Sequence, residues 1–197
     1  MEAVGMKHFQ AGKLKVEIHP DRKAAARAAA EAAARAFKEQ ARENQPLSAI
    51  FATGASQMDM LEALTSMTGL PWESMRGFHM DEYVGIAPDH PASFRRYLRE
   101  RLTSKVPIKE FLEIDGSAPD PEKTGRHYAD MLRAADPQVC LLGIGENGHL
   151  AFNDPGVADF RDPLDVKTVV LDAACRRQQT AEGCFAAWKR FPMRLSR

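Results

Sequence analysis

Along the chain, the spacing of apolar and polar positions changes repeatedly. Residues 13–20, KLKVEIHP, set Leu14, Val16 and Ile18 against charged neighbours, the period-two alternation of a strand with one wet face. Residues 21–44 are Ala-rich, with Asp21 placed to cap them, and predict a long helix. SAIFATG (48–54) is a short apolar run ending in a turn, read as a buried strand. SQMDMLEALTSM (56–67) follows as a helix with Ser56 placed as its cap. RGFHM (76–80) reads as a strand leading into DEYVG, 93–106 as a helix, 110–116 as a strand, and 121–135 as a helix in spite of Gly125. QVCLLGIG (138–145) reads as the most buried strand of all; VKTVVLD (166–172) is a further strand and 173–185 a further helix. Short apolar strands separated by helices imply βαβ units. The expected class is therefore α/β, with a largely parallel sheet and helices on both faces. Ligands of such sheets sit beyond the carboxyl ends of the strands. That rule selects three segments: ATGAS (52–56), MDEYVG (80–85) and GIGENGH (143–149).

Composition narrows the function. A chain of 197 residues is expected to form a single α/β domain. Lys+Arg and Asp+Glu both number 27, so no global attraction to nucleic acid or to an anionic membrane follows, and an anion must be bound locally. No apolar run reaches the roughly 18 residues of a membrane span, and the first twenty residues lack the apolar centre of a signal peptide. Cys140, Cys175 and Cys184 are odd in number and form no C-x-x-C, so neither a disulfide framework nor a metal site is expected and a reduced cytoplasm is the simpler setting.

The three strand ends carry different chemistry. Thr53, Gly54, Ala55 and Ser56 join a strand to a helix; small residues, hydroxyls and the positive end of a helix suit a phosphate, although an ordinary βα turn looks the same. Asp81 and Glu82 are adjacent acids in an extended segment, so only one can face a given pocket, where it could act as a general base. A solvated turn is the plainer alternative. His79, two residues before Asp81, is the weaker candidate. In GIGENGHLAFNDP (143–155) three glycines allow a sharp loop, and Asn147 and Asp154 flank His149 closely enough to orient its imidazole. A histidine that merely closes its own loop remains open. A metal reading is poorer, because no second His or Cys lies nearby at ligand spacing. GIGENG is a weak nucleotide fingerprint, with no helix start and no acid at the expected offset.

Together, TGAS (53–56), MDEYVG (80–85) with HPAS (90–93), and GIGENGHLAFNDP (143–155) resemble the glucosamine-6-phosphate deaminase (isomerase) family, in order and in spacing. The similarity runs from about Pro46 to about Phe185. The family's relatives, the 6-phosphogluconolactonases, usually carry D-E-R and D-G-H-T-A-S-L-F-P at the corresponding places, which this chain does not. The resemblance implies a Rossmann-like sheet, an amino-sugar phosphate as small-molecule substrate and no cofactor. It implies neither nucleic acid nor membrane as partner, and it leaves room for a homo-oligomer.

Carried over by residue, the resemblance makes Asp81 the enolisation base and His149 the ring-opening acid/base, flanked by Asn147 and Asp154. Thr53, Gly54, Ala55 and Ser56 would hold the phosphate, and Glu82, Gly148 and Arg177 join the substrate-binding set. Two positions depart from the best-known pattern, which has acids of Asp and Glu type where this chain has Asn147 and Asp154. Asp154, one methylene shorter than Glu, is expected to need a backbone shift or a water to reach His149. From about residue 186 the chain departs from the family altogether. Relatives continue with further strands, helices and a phosphate-binding lysine, so apolar sheet surface is expected to lie uncovered here. A lactonase-like hydrolase and a non-catalytic sugar-phosphate-binding module are the alternatives.

Overall fold

The computed structural model describes residues 7–42, 46–173, 175–177 and 194–196. β1 (Lys7–Ala11) and β2 (Leu14–Ile18) form an antiparallel hairpin. α1 (Arg22–Arg42) starts where Asp21 Oδ1 accepts the amide of Ala24 at 2.8 Å. Its buried stripe is Ala30, Ala33, Ala34 and Phe37, one face of a 3.6-residue period, and small alanines let the helix approach the sheet closely. Then come β3 (Leu47–Phe51), α2 (Ala55–Thr65), β4 (Met75–His79), β5 (Glu82–Tyr83) and α3 (Phe94–Leu98), which widens into a π-type turn over Arg99–Thr103. β6 (Glu110–Leu112), α4 (Pro121–Ala135), β7 (Val139–Leu141), β8 (Lys167–Val169) and β9 (Arg194–Ser196) complete the order.

Four strands form a parallel sheet in the order β6-β4-β3-β7. β3 is buried along its whole length and its alternation serves both layers. Leu47, Ala49 and Phe51 pack with Phe37, Leu61 and Leu64 of α1 and α2, whereas Ile50 packs with Tyr128 and Leu132 of α4 on the other face. Tyr128 ties α4 to the sheet. Its hydroxyl accepts the His79 amide at 2.8 Å and faces the carbonyls of His79 (2.7 Å) and Leu112 (3.1 Å), to which it donates. Burial pushes its phenol well above the usual range. A second sheet, antiparallel in the order β5-β9-β8, stands apart from the first.

Several expectations are corrected. The apolar run at 138–145 is not the most buried strand. β7 is short, lies at the edge of the parallel sheet, and leaves Cys140 exposed; β3 holds the centre. Beyond it Leu142 and Ile144 are also exposed. Apolar composition reports affinity for a core but not place in the strand order. The strand at 166–172 joins the antiparallel sheet rather than the parallel one. The alternating strand at 13–20 forms, yet its apolar positions Leu14 and Ile18 are exposed. Ser56 is not the cap of α2: the helix begins one residue earlier, and Gly54 occupies the cap without a side-chain hydrogen bond. The helix at 173–185 is seen at 173 and 175–177; the rest lies outside the described residues. No described helix is long and apolar enough to cross a membrane.

His79 is only 1% exposed, and neither ring nitrogen finds a hydrogen-bond partner among the described residues. Desolvation dominates over the opposing pull of Glu82 and pushes its pKa down to about 4. The native state therefore refuses a proton that the unfolded chain accepts below about 6.5. Stability should be full above that pH and fall as pH drops from about 6.5 to 4, by about 3 kcal/mol in all. Denaturant melts across this window should show the fall, and His79→Phe should flatten it.

Candidate functional site

The three strand ends converge on one cleft of about 500 Å³. Thr53, Gly54, Ala55 and Ser56 line it from the end of β3, Asp81 from the end of β4, and Gly143, Gly145 and His149 from the loop after β7. Adjacent parallel strands end side by side, so segments far apart in sequence arrive at one rim.

At the first end, Gly54 adopts φ 102°, ψ 174°, a conformation open to glycine and strained for other residues. Its carbonyl accepts the Tyr97 hydroxyl at 2.8 Å, and the Ala55 carbonyl accepts Arg22 Nη2 at 3.0 Å. The Gln57 amide closes the first turn on the Gly54 carbonyl at 3.1 Å; with no side chain on the cap, the amides of Ala55 and Ser56, at the positive end of the 11-residue α2, are placed to meet an anion. Gly143 is what lets the β7 loop close in: a Cβ there would stand 2.8 Å from Ser56 Oγ. No lysine or arginine is among the described lining residues, so an anion would rest on amides and hydroxyls.

At the second end, strand alternation separates the two acids. Asp81 is 4% exposed and lines the cleft. Glu82 does not, contrary to expectation. Its carboxylate points the opposite way and is filled by the amides of Tyr83 (3.0 Å), Phe94 (3.1 Å) and Arg95 (3.0 Å) and by Ser93 Oγ (2.8 Å). Arg95 Nε stands 3.4 Å away, an ion pair without hydrogen-bond alignment, while its other nitrogens reach Asp115 Oδ1 and the Ile86 carbonyl at 2.9 Å each. Glu82 thus holds the start of α3, whose helix dipole also favours the negative charge.

At the third end, the Gly145 amide donates to the His149 carbonyl and the Gly148 amide to the Gly145 carbonyl, both at 2.9 Å. Gly148 has φ 83°; it shapes the turn and does not line the cleft. A Cβ at Gly145 would clash with the His149 imidazole, so the ring lies on a surface only glycine provides. His149 Nδ1 is 2.6 Å from Asn147 Oδ1 and 3.1 Å from Asp154 Oδ1, and Asn147 Nδ2 donates to the same Asp154 oxygen at 3.0 Å. Asp154 therefore reaches the ring directly, with no bridging water. The reach comes from left-handed backbone at Ala151 (φ 58°) and Phe152 (φ 108°), which folds the loop back. Phe152 then packs on the imidazole at 5.4 Å between ring centres.

The structure thus brings eight expected residues together: Thr53, Gly54, Ala55, Ser56, Asp81 and His149 on the cleft, with Asp154 and Asn147 behind the histidine. It does not bring Glu82, Gly148 or Arg177 to the cleft wall; Arg177 is exposed. His79 lines a separate, apolar cavity of about 390 Å³ under α4. Sequence reasoning missed Tyr97 and Ser93, which line the cleft from α3 and its cap, and Cys175, buried next to Asp154. The H-P-x-S segment carried a signal for Ser93; for Cys175, distant in sequence from His149, there was none.

Fold and cleft together define an α/β protein with a cleft at the carboxyl ends of a parallel sheet. The pattern of the family described as Glucosamine-6-phosphate isomerases/6-phosphogluconolactonase matches residues 20–169, and the chain belongs to that family. It is 39% identical over 121 residues to a glucosamine-6-phosphate deaminase of Exiguobacterium sp., covering 61% of this chain and 45% of that protein. It is also 39% identical over 137 residues to glucosamine-6-phosphate deaminase 1 of Giardia intestinalis, covering 66% and 48%. The matched segments span about half the length of these relatives. Among solved structures, a monomeric glucosamine-6-phosphate deaminase superposes with a TM-score of 0.80 at 24% identity, over 89% of this chain and 72% of that one. A 6-phosphogluconolactonase from Plasmodium vivax gives 0.70 at 12% identity, over 96% and 73%. At these identities the superpositions establish a shared fold.

Two outcomes follow from the geometry. Nδ1 of His149 faces two acceptor oxygens, so the neutral ring should carry its proton there and leave the Nε2 lone pair to the cleft. Long-range ¹H–¹⁵N spectra should show that tautomer, and Asp154→Ala should weaken the preference. Replacing Glu82 by Gln removes the charge opposite buried Arg95 and should destabilise the fold by about 3–5 kcal/mol in denaturant unfolding.

Proposed function

We propose that this chain carries the site of a glucosamine-6-phosphate deaminase, converting glucosamine 6-phosphate and water to fructose 6-phosphate and ammonia. One observation carries the reading: Asp81 and a carboxamide- and carboxylate-backed His149 face the same cleft as the amides at the start of α2. Each group then has a task. The amides and hydroxyls of 53–56 hold the phosphate and set the direction of the sugar. Nε2 of His149 takes the proton of the anomeric hydroxyl and delivers one to the ring oxygen, opening the ring. Asp154 and Asn147 accept the hydrogen bond of Nδ1–H, which stays on the ring, and stabilise the imidazolium while it lasts.

Asp81 takes the C2 proton of the open aldehyde. The C1–C2 enol that results is reprotonated at C1, which leaves an imine at C2. Water adds to that imine, and the carbinolamine expels ammonia to give the ketone. A buried carboxylate is strong enough for this only where water is scarce, and Met80, Phe94 and Phe152 supply apolar walls around Asp81. The setting we assign is a reduced cytoplasm, the simpler one for a chain whose three cysteines form no C-x-x-C.

Ammonia release from glucosamine 6-phosphate tests the proposal. Asp81→Asn should lower kcat by about 10²–10⁴-fold with a much smaller change in KM. Hydrolysis of 6-phosphogluconolactone with no ammonia from the amino sugar would instead assign the cleft to the lactonases, with His149 activating water.

A further inference from the structure

Behind the cleft, a thiol joins the histidine–carboxylate pair. The ligand atoms of His149, Asp154 and Cys175 all lie within 4.8 Å of one another. Asp154 and Cys175 are buried to 1% and 2% exposure, and His149 is half-buried with its ring against Phe152. The cluster is also built. Asp172 donates its amide to Asp154 Oδ2 at 3.2 Å, and its carboxylate accepts the Cys175 amide at 2.7 Å, capping the turn that delivers the thiol. Asn147 braces the other Asp154 oxygen. One residue, Asp172, therefore sets the distance between the carboxylate and the sulfur.

We propose that His149, Asp154 and Cys175 form a binding site for a thiophilic divalent cation of the zinc type. One imidazole, one carboxylate and one thiolate suit such an ion, with water in the fourth position. Metal–sulfur and metal–nitrogen distances of about 2.3 and 2.0 Å put neighbouring ligand atoms of a tetrahedron about 3.3–3.7 Å apart. From 4.8 Å at the widest, the three groups need to close by about 1.5 Å at most, a side-chain adjustment. Nδ1 is the nitrogen that faces Asp154. A cation there takes the place of the Nδ1 proton and fixes the ring as the tautomer with hydrogen on Nε2. The lone pair that faces the cleft is lost, and Asp154 no longer backs a proton on the ring. The site is therefore inhibitory: an ion in it removes the base without occupying the sugar's place. Binding rests on the geometry alone; the inhibition rests on the reaction proposed above.

Cobalt(II) is the probe, because a bound thiolate gives a near-ultraviolet charge-transfer band. The doubly substituted Cys140→Ser, Cys184→Ser protein keeps Cys175 as its one thiol, since the chain has three cysteines. It should bind one equivalent of cobalt with that band, and zinc should displace it. Cys175→Ser in the wild-type background should lose the band and weaken zinc binding more than about tenfold. No band in the double variant, or an undiminished band in Cys175→Ser, overturns the site. Should Cys175→Ser fail to fold, X-ray absorption on the zinc-loaded double variant decides. One sulfur near 2.3 Å with nitrogen or oxygen near 2.0 Å supports the site, and a shell without sulfur refutes it. Zinc should also suppress ammonia release in step with occupancy, reversed by a chelator. Full activity at full occupancy overturns the inhibitory role. Metal binding without any ammonia release from the metal-free protein would refute the deaminase reading and leave the site standing.

Discussion

The buried carboxylate of Glu82 fixes the geometry on which the rest of the site depends. It gathers the amide of Tyr83 beside it and two amides and a serine hydroxyl at the start of α3, and stands against Arg95, all out of water. An unpaired buried charge would be costly; this one is saturated with donors. Because successive side chains of an extended chain point to opposite sides, anchoring Glu82 inward leaves Asp81 facing the cleft. The same anchor seats α3, which supplies Tyr97 to the Gly54 carbonyl and Phe94 to the apolar wall. One acid of the Asp–Glu pair is structural, and the other faces the cleft.

The histidine loop uses a different device. Its backbone crosses left-handed space at two non-glycine residues, Ala151 and Phe152, an arrangement that persists only when its surroundings enforce it. Phe152 is buried between His149 and Phe94, with ring centres 5.4 and 6.3 Å away, and Asp154 is locked by Asn147 and Asp172. The strain gives a short acid the reach of a longer one. It also gathers polar groups tightly enough that the thiol of Cys175 comes within 4.8 Å of the pair.

Much of this was legible in the sequence. Alanine content and the Asp21 cap placed α1, and the helix read at 121–135 is α4, where Asp120 caps with its side chain on the Lys123 amide. The rule that ligands sit at parallel strand ends selected the three segments that line the cleft. Period two foretold that Asp81 and Glu82 would part. What stayed hidden depended on tertiary placement. An apolar run does not reveal whether a strand is central or at the edge, so β7 was misjudged. A carboxylate looks the same in sequence whether it faces a cleft or four donors, so the place of Glu82 was not legible. Asp154's reach depends on dihedrals that Ala151 and Phe152 do not advertise, and Cys175 meets His149 only through the fold.

The most direct test of the account is a crystal structure with the open-chain alcohol obtained by reducing C1 of glucosamine 6-phosphate, which cannot enolise. Its phosphate should lie on the amides at the start of α2, its C2 within about 3.5 Å of the Asp81 carboxylate, and the oxygens of C1 and C5 beside His149. A phosphate bound elsewhere, or an Asp81 turned away from C2 in a fully occupied complex, would contradict it.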